Sequence, residues 1–292
     1  MNRIEKVAKV FGVLVCLFFI LFQELNPVIQ FTLFGLIMVS MGIPHGAIDH
    51  LISNPKIDRK GLGSFLLIYL TLIASYLAIW FFIPIVALIG FFIMSAYHFG
   101  QSHFISRSQL KKFPWFLYIS RGGFFLFAIL LGDWETTKMI LSPLLDLDYL
   151  GQSRVLLLIV LLSISIIAQE VFGPKIKNTQ ILEIVILGPI LYFSPLLISF
   201  VVYFGFWHAL PSMITEYKFL RGFSEYSSIK KFGIQLLPFS IISIIGIGLI
   251  LFLGLKFLDN NELILLFFVM ISLISFPHIL YMDSFLKSQN QN

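Results

Sequence analysis

Long apolar runs separated by short polar and charged segments make up most of this chain. A transmembrane helix needs roughly 17–25 mostly apolar residues. On that criterion ten segments are interpreted as spans, near residues 7–23, 28–50, 62–83, 85–104, 114–132, 153–172, 180–194, 196–214, 232–257 and 262–285. The pattern therefore predicts an all-α fold, a polytopic integral membrane helical bundle that forms a single domain over 1–292.

The number of spans depends on the segment 180–214. It is either one long broken helix or two shorter helices hinged at Ser194-Pro195, which makes nine spans the alternative to ten. Membrane proteins carry an excess of Lys and Arg on the cytoplasmic side. With ten spans, sixteen Lys and Arg residues lie on the side of the N-terminus and three lie opposite. The charge pattern favours ten spans with both termini cytoplasmic, and with 133–152 as an external loop that contains a short helix.

Composition agrees with a membrane protein. The chain is 58% hydrophobic and 12% charged, with a mean hydropathy of +0.95. Soluble domains average about 45–50% apolar and about 25% charged residues. The net charge is +5, and the positive residues lie mainly on the side expected to be cytoplasmic. We therefore expect membrane lipid and no nucleic acid as a partner. The single Cys16 excludes a disulfide framework and a cysteine-based metal site. No small-residue cleavage site follows the apolar residues 7–22, so we expect a first span and not a signal peptide.

All six histidines lie in apolar segments or at their ends. They occur in the motifs "IPHGAIDH", "AYHFGQSH", "GFWHALPS" and "SFPHILYMD" and are His45, His50, His98, His103, His208 and His278. In the ten-span topology these motifs are the C-terminal parts of spans 2, 4, 8 and 10, which all end on one side of the membrane. We therefore expect the histidines at similar depth, near the cytoplasmic face.

Histidines at this depth need a physical reason, because ionisable residues in a membrane are costly unless they pair or line a functional cavity. A hydrogen bond between helices would explain one of them. Six at one level favour a metal site inside the bundle, since neutral imidazole is a common ligand for iron, zinc, copper and nickel. The first-ranked ligands are one histidine from each motif, namely His45, His98, His208 and His278.

Helical spacing ranks the remaining polar residues. Positions four apart share a helix face, and positions three apart nearly do. Asp49 is therefore predicted to orient the imidazole of His45, and Gln101 or Ser102 lies roughly on the face of His98. Positions five apart differ by about 140°. His50 and His103 are therefore predicted to be alternative ligands or polar partners around the site.

Large side chains adjoin the histidine motifs. They either line a cavity for a long apolar substrate or take part in ordinary membrane packing. The candidates are Trp80, Tyr97, Phe99, Trp207, Tyr281 and Met282.

Taken together, the segments "GIPHGAIDH", "YHFGQSH", "FWHALPS" and "FPHILYMDSF" resemble the motifs of the Brp/Blh family, the bacterial and archaeal membrane β-carotene 15,15′-dioxygenases. The resemblance runs in order along residues 40–285. It implies a transmembrane catalytic domain that uses non-haem Fe²⁺ held by histidines. Such an enzyme cleaves β-carotene with O₂ at the central double bond into two retinal molecules, and the retinal is passed to a microbial rhodopsin. The implied location is the inner (plasma) membrane, with the metal towards the cytoplasm.

Residue by residue, His45, His98 and His208 match the family's iron ligands, and His278 matches its C-terminal Pro-His segment. Two positions depart from the family pattern. Family members often carry an Arg-His pair where this chain has Pro211-Ser212, so the fourth ligand is His278, His50 or His103. Other members tend to have Asp at position 103. These departures imply an adjusted coordination shell or a sister activity on another carotenoid.

Two other classes remain as alternatives. A membrane hydroxylase or desaturase with two irons would carry more histidines, in H-x₃₋₄-H clusters, than the six found here. A haem-binding electron carrier or a metal transporter would be a non-enzyme. A transporter, however, is expected to place polar residues along a whole span and not at one level.

Overall fold

A computed structural model describes residues 3–22, 26–105, 113–174, 181 and 183–291. These residues are mostly helical, and no strand occurs among them. The first helices are α1 (Arg3–Leu21), α2 (Pro27–Ile37), α3 (Asp49–Ser53), α4 (Arg59–Phe82), α5 (Pro84–Ser102), α6 (Pro114–Gly132) and α7 (Trp134–Leu141). They are followed by α8 (Arg154–Phe172), α9 (Gly188–Phe193), α10 (Leu196–Val202), α11 (Leu210–Leu220), α12 (Ile229–Gly254) and α13 (Asn260–Gln291).

Short helices of other pitch join some of these elements. The π-helical segments are Met38–Gly42, Glu183–Leu187 and Tyr203–Ala209. The 3₁₀ turns are Pro44–Gly46, Asp148–Leu150 and Ser224–Tyr226.

The predicted membrane fold is confirmed. In the described part of the chain, eight helical stretches are long and apolar enough to cross a membrane. They are Pro27–Ser53, Arg59–Phe82, Pro84–Ser102, Pro114–Gly132, Arg154–Phe172, Leu196–Leu220, Ile229–Gly254 and Asn260–Gln289. Each overlaps one predicted span, so the chain is an all-helical, polytopic membrane protein.

The other two predicted spans, 7–23 and 180–194, coincide with α1 and with the shorter apolar helix Glu183–Phe193. Gln23 and Gln180, at the ends of these predicted spans, lie outside the described residues, as do five basic residues that enter the charge count, Arg107, Lys111, Lys112, Lys175 and Lys177. Ten spans, cytoplasmic termini and a single domain over 1–292 stay predictions.

The ambiguous segment 180–214 is broken into two helices at Ser194-Pro195. Ser194 and Pro195 are extended, with ψ angles of 151° and 143°. A proline lacks the backbone N–H and disfavours helical geometry in the residue before it. The carboxylate of Asp133 accepts a hydrogen bond from the N–H of Leu196 at 3.0 Å, which caps the second helix.

The chain comprises two compact units. The first contains Met1–Met38 and Phe92–Pro211. Within it, α6 packs on α8, and the buried Arg121 donates hydrogen bonds to Ser165 Oγ at 3.0 Å and Gln169 Oε1 at 3.2 Å. These bonds satisfy part of a guanidinium that would otherwise be costly at membrane depth.

Glycines in the first unit let α5 and α6 approach backbone to backbone. A Cβ added to Gly100 would lie 1.9 Å from the carbonyl oxygen of Tyr118, and one on Gly122 would lie 1.9 Å from that of Ala96. Small residues at such contacts are typical of helix packing in membranes. This contact fixes the end of α5 that carries His98 and is followed by His103.

The second unit contains Val39–Phe91 and Ser212–Asn292. Within it, α13 packs on α3 and α4. Buried polar groups join the helices of this unit. Trp80 Nε1 in α4 donates to Ser272 Oγ in α13 at 2.9 Å, and the hydroxyl of Tyr76 in α4 donates to the carbonyl of Ala87 in α5 at 2.8 Å. Each buried donor thus has an acceptor, as the apolar surroundings require.

The predicted loop 133–152 contains a short helix, as expected. This helix is α7, and it is followed by the 3₁₀ turn Asp148–Leu150. Lys138 lies 3.1 Å from Glu135 and 3.2 Å from Asp148, and the hydrogen bonds that its ammonium donates to these two carboxylates raise the pKa of Lys138. The external side of this loop stays a prediction.

Candidate metal centre

His45 follows an irregular stretch of backbone. The chain passes from the π-helical segment Met38–Gly42 into the 3₁₀ turn Pro44–Gly46, and a regular helix resumes only at Asp49. Pro44 occupies the first position of that turn, where its missing N–H is tolerated. The Nδ1–H of the buried His45 donates a hydrogen bond to the carbonyl of Gly42. The irregular turn thus fixes the ring through its own backbone.

His278 lies directly after Pro277 in α13, in the same unit as His45. Its Nδ1 is 2.8 Å from Asp49 Oδ1, and the hydroxyl of Tyr69 donates to the other oxygen of Asp49 at 3.0 Å. The rings of His45 and His278 meet edge to face with centroids 4.7 Å apart. Asp49 thus orients one imidazole of a close pair.

Helical spacing predicts that Asp49 pairs with His45. In the structure Asp49 pairs with His278 instead. The physical reason is local: the spacing of four residues places two side chains on one face only along a continuous α-helix. Between positions 45 and 49 the backbone has 3₁₀ geometry and a break at Ile48, where φ is −112° and ψ is 17°.

The first unit holds a second pair of histidines. His98, in α5, has its Nδ1 3.1 Å from Gln101 Oε1, as the shared face predicts. His208 lies in the π-helical segment Tyr203–Ala209, and its Nδ1 is 2.6 Å from Ser102 Oγ. The two rings meet edge to face with centroids 4.4 Å apart. Phe99 flanks the ring of His208 at 5.0 Å.

The four first-ranked histidines form one buried group that could hold a metal ion. Each offers one ring nitrogen, and these nitrogens lie within 4.8 Å of one another. The members are His45, His98, His208 and His278.

The hydrogen bonds fix the tautomers of His45 and His278, and they allow the same tautomer in His98 and His208. A carbonyl or carboxylate oxygen only accepts, so His45 and His278 carry the proton on Nδ1. The same assignment for His98 and His208 makes Gln101 Oε1 and Ser102 Oγ acceptors. In each ring Nε2 then presents the lone pair that a metal requires. Four buried neutral nitrogen donors fit iron or a similar transition metal.

The two histidines five residues further on take other roles. The ring of His50 packs against Phe239, with centroids 4.9 Å apart. His103 follows the last residue of α5, and its Nε2 is 2.9 Å from the hydroxyl of Tyr203. Among the described residues neither belongs to the metal group, and their role as alternative ligands or polar partners around the site stays a prediction.

The six candidate substrate-lining residues occupy different environments. Phe99 contacts His208, Tyr97 packs on Tyr118, and Lys9 lies 5.5 Å above the ring of Trp207. Tyr281 stacks on Tyr69, Trp80 bonds to Ser272, and Met282 is fully buried. A shared lining role for these residues stays a prediction.

Sequence reasoning does not single out Tyr69 or Tyr203. Tyr69 bonds to the carboxylate that orients His278, and Tyr203 bonds to His103. The signal in the sequence that could have found them is a tyrosine in the middle of an otherwise apolar span, because its hydroxyl needs a hydrogen-bond partner when it is buried.

Comparisons with known proteins show the family of the chain. A family model described as beta-carotene 15,15′-dioxygenase matches residues 36–286. A curated relative named beta-carotene 15,15′-dioxygenase, from uncultured marine bacterium 66A03, is 28% identical over 258 residues, which cover 85% of this chain and 90% of the relative. No solved structure matches the chain. The predicted resemblance is confirmed: the chain belongs to the β-carotene 15,15′-dioxygenase family.

Proposed function

We propose that this protein is a non-haem iron dioxygenase that cleaves β-carotene with O₂ at the central 15,15′ double bond and forms two molecules of retinal. The observation that carries the proposal is the buried group of four histidines in a chain of this family. Membership of the family supports the reaction, and the donor set supports a redox-active metal.

In this proposal His45, His98, His208 and His278 hold one Fe²⁺ through Nε2. Bound Fe²⁺ supplies the electrons and the open coordination position with which O₂ is activated. The hydrogen-bond partners of Nδ1 keep each imidazole in the ligating tautomer and orientation. His50 and His103 take no part in the coordination.

The substrate is a hydrocarbon, so the protein needs apolar surface and no charged recognition group. Phe99 and Phe204 lie 5.0 Å and 5.4 Å from the ring of His208 and supply such a surface. We place the central part of the polyene against them, and we retain Trp80, Tyr97, Trp207, Tyr281 and Met282 as candidate lining residues. The exclusion of water by these side chains protects the reacting centre from side reactions.

The proposed setting is the inner (plasma) membrane. Apolar β-carotene enters from the lipid, the metal lies towards the cytoplasmic side, and retinal passes to a microbial rhodopsin. The eight apolar helical stretches support a membrane location.

The test is expression in cells that accumulate β-carotene. We expect two retinal molecules per β-carotene consumed and one iron per chain, by chromatography and metal analysis. Two irons per chain would favour the hydroxylase or desaturase alternative. Unchanged β-carotene in cells with abundant, folded, iron-loaded protein would contradict the proposal, and loss of colour without retinal would indicate another product.

Asp49→Asn is expected to lower the iron affinity by about 10–100-fold, as is usual when the partner of a metal-binding histidine is changed. The amide keeps the shape of Asp49 but loses the negative charge that holds the Nδ1 proton of His278. Competition with a chelator measures the affinity. Asp58→Asn, at the exposed start of α4, is the matched control; equal affinities in the two variants would refute the role of Asp49.

A further inference from the structure

A second group of polar side chains lies in the first unit, outside the metal group. Lys9 Nζ is 2.7 Å from Glu183 Oε1, and the other oxygen of Glu183 is 3.6 Å from Nδ1 of His103. Nε2 of His103 is 2.9 Å from the hydroxyl of Tyr203. We call these four residues the polar brace. Their side chains run from the partly exposed ion pair to Tyr203, which is fully buried.

Packing fixes the buried end of the polar brace. The ring of His103 stacks on Phe125, with centroids 4.9 Å apart and planes 8° apart. The ring of Tyr203 contacts Phe125 at 5.3 Å and Phe99 at 5.6 Å. A buried polar group of this kind contributes little net stability, but it can specify one arrangement of the backbone.

The polar brace joins two π-helical segments. Glu183 begins the segment Glu183–Leu187, and Tyr203 begins Tyr203–Ala209, which also carries His208. π-helical turns are rare, and their hydrogen bonds span five residues. Tyr203 and His208 are therefore about one turn apart. If the segment relaxed to an α-helix, a shift of one residue would turn the following side chains by about 100°.

Helix α1 supports the same π-helical segment. A Cβ added to Gly12 would lie 2.8 Å from the ring of Phe206 and 3.2 Å from that of Trp207. Lys9 lies three residues before Gly12, on the same side of α1. The close approach at Gly12 thus brings the Lys9 ammonium to Glu183.

We propose that the polar brace is a positioning device for the metal centre: the bond between Tyr203 and His103 holds Tyr203–Ala209 in π-helical register and thereby aims His208. The proposal rests on the metal-binding role given to His208 above. It assigns His103 to positioning and not to coordination, and it gives the Lys9–Glu183 ion pair the task of fixing His103.

The test uses Co²⁺ as the probe, because its visible spectrum reports ligand geometry. Tyr203→Phe removes one hydroxyl, and His103→Phe keeps the aromatic stacking on Phe125. Each is expected to lower the Co²⁺ affinity of the purified protein about 10–100-fold and to alter the Co²⁺ spectrum. The double variant is expected to lose no more than either single variant, because both break the same link. His103→Gln, whose amide reaches Tyr203, is expected to restore most of the affinity.

Tyr76→Phe is the matched control, since it removes the buried tyrosine hydroxyl that bonds to Ala87 in the second unit. Its Co²⁺ affinity and spectrum are expected to equal those of the wild type. Wild-type affinity and spectrum in Tyr203→Phe, or additive losses in the double variant, would overturn the proposal. A wild-type protein that binds Co²⁺ tightly but forms no retinal when it is loaded with iron would instead contradict the proposed function and leave the polar brace intact.

Discussion

His208→Ala is expected to abolish retinal formation and to leave the purified protein without iron. The ring of His208 is fully buried and lies 4.4 Å from that of His98. The variant removes one of the four proposed nitrogen donors, so the loss of affinity is expected to exceed the roughly 100-fold that a change in an outer partner causes. Iron per chain is measured by mass spectrometry, and retinal by chromatography after exposure to β-carotene.

His50→Ala is the matched control, because it also removes a buried histidine that lies five residues after a proposed ligand. His50 packs against Phe239 and lies outside the metal group. We expect this variant to keep its iron. Retained iron together with retinal formation in His208→Ala, or equal iron loss in both variants, would refute the proposed ligand set.

Span positions could be predicted from the sequence because they depend on the length of the apolar runs. The predicted span 114–132 has the same bounds as the helix Pro114–Gly132. A membrane span must be apolar over the thickness of the bilayer, so its ends show in the sequence as the ends of an apolar run. Among the described residues His50 and His103 do not belong to the metal group, but the five-residue spacing of an α-helix does not explain this for His50, because the backbone from His45 to His50 is not a continuous α-helix.

The partner of Asp49 could not be predicted, because the rule of four assumes a continuous α-helix. The π-helical and 3₁₀ turns before Asp49 break that assumption. Pro44 and the neighbouring glycines indicate irregular backbone there, but they do not specify which ring the carboxylate meets. The bond to His278 joins residues 229 positions apart and depends on tertiary packing.

The structure suggests which residue replaces the histidine that relatives often carry at the position of Ser212. Where relatives often carry a histidine this chain has Ser212, and His278 belongs to the group of four that could hold the metal. We therefore propose His278 as the fourth ligand. Asp49 and Tyr69 support its ring, which explains why an aspartate and a mid-span tyrosine occur at these positions.

Gly100→Ala is expected to prevent stable folding. The added Cβ would lie 1.9 Å from the carbonyl oxygen and 2.5 Å from the carbonyl carbon of Tyr118. These are backbone atoms, so no side-chain rotation relieves the clash and α5 must move away from α6. The cost is expected to exceed the roughly 1–3 kcal/mol of ordinary overpacking. Size-exclusion chromatography and thermal unfolding in detergent measure the loss.

The control is Gly246→Ala in α12, where an added Cβ has nothing within 4 Å. This variant is expected to remain as stable as the wild type or to gain up to about 1 kcal/mol, because alanine restricts the unfolded chain more than glycine does. A Gly100→Ala protein that elutes and melts like Gly246→Ala would show that the α5–α6 contact is not close. Because His98 lies two residues before Gly100, any folded fraction of Gly100→Ala is also expected to bind less iron.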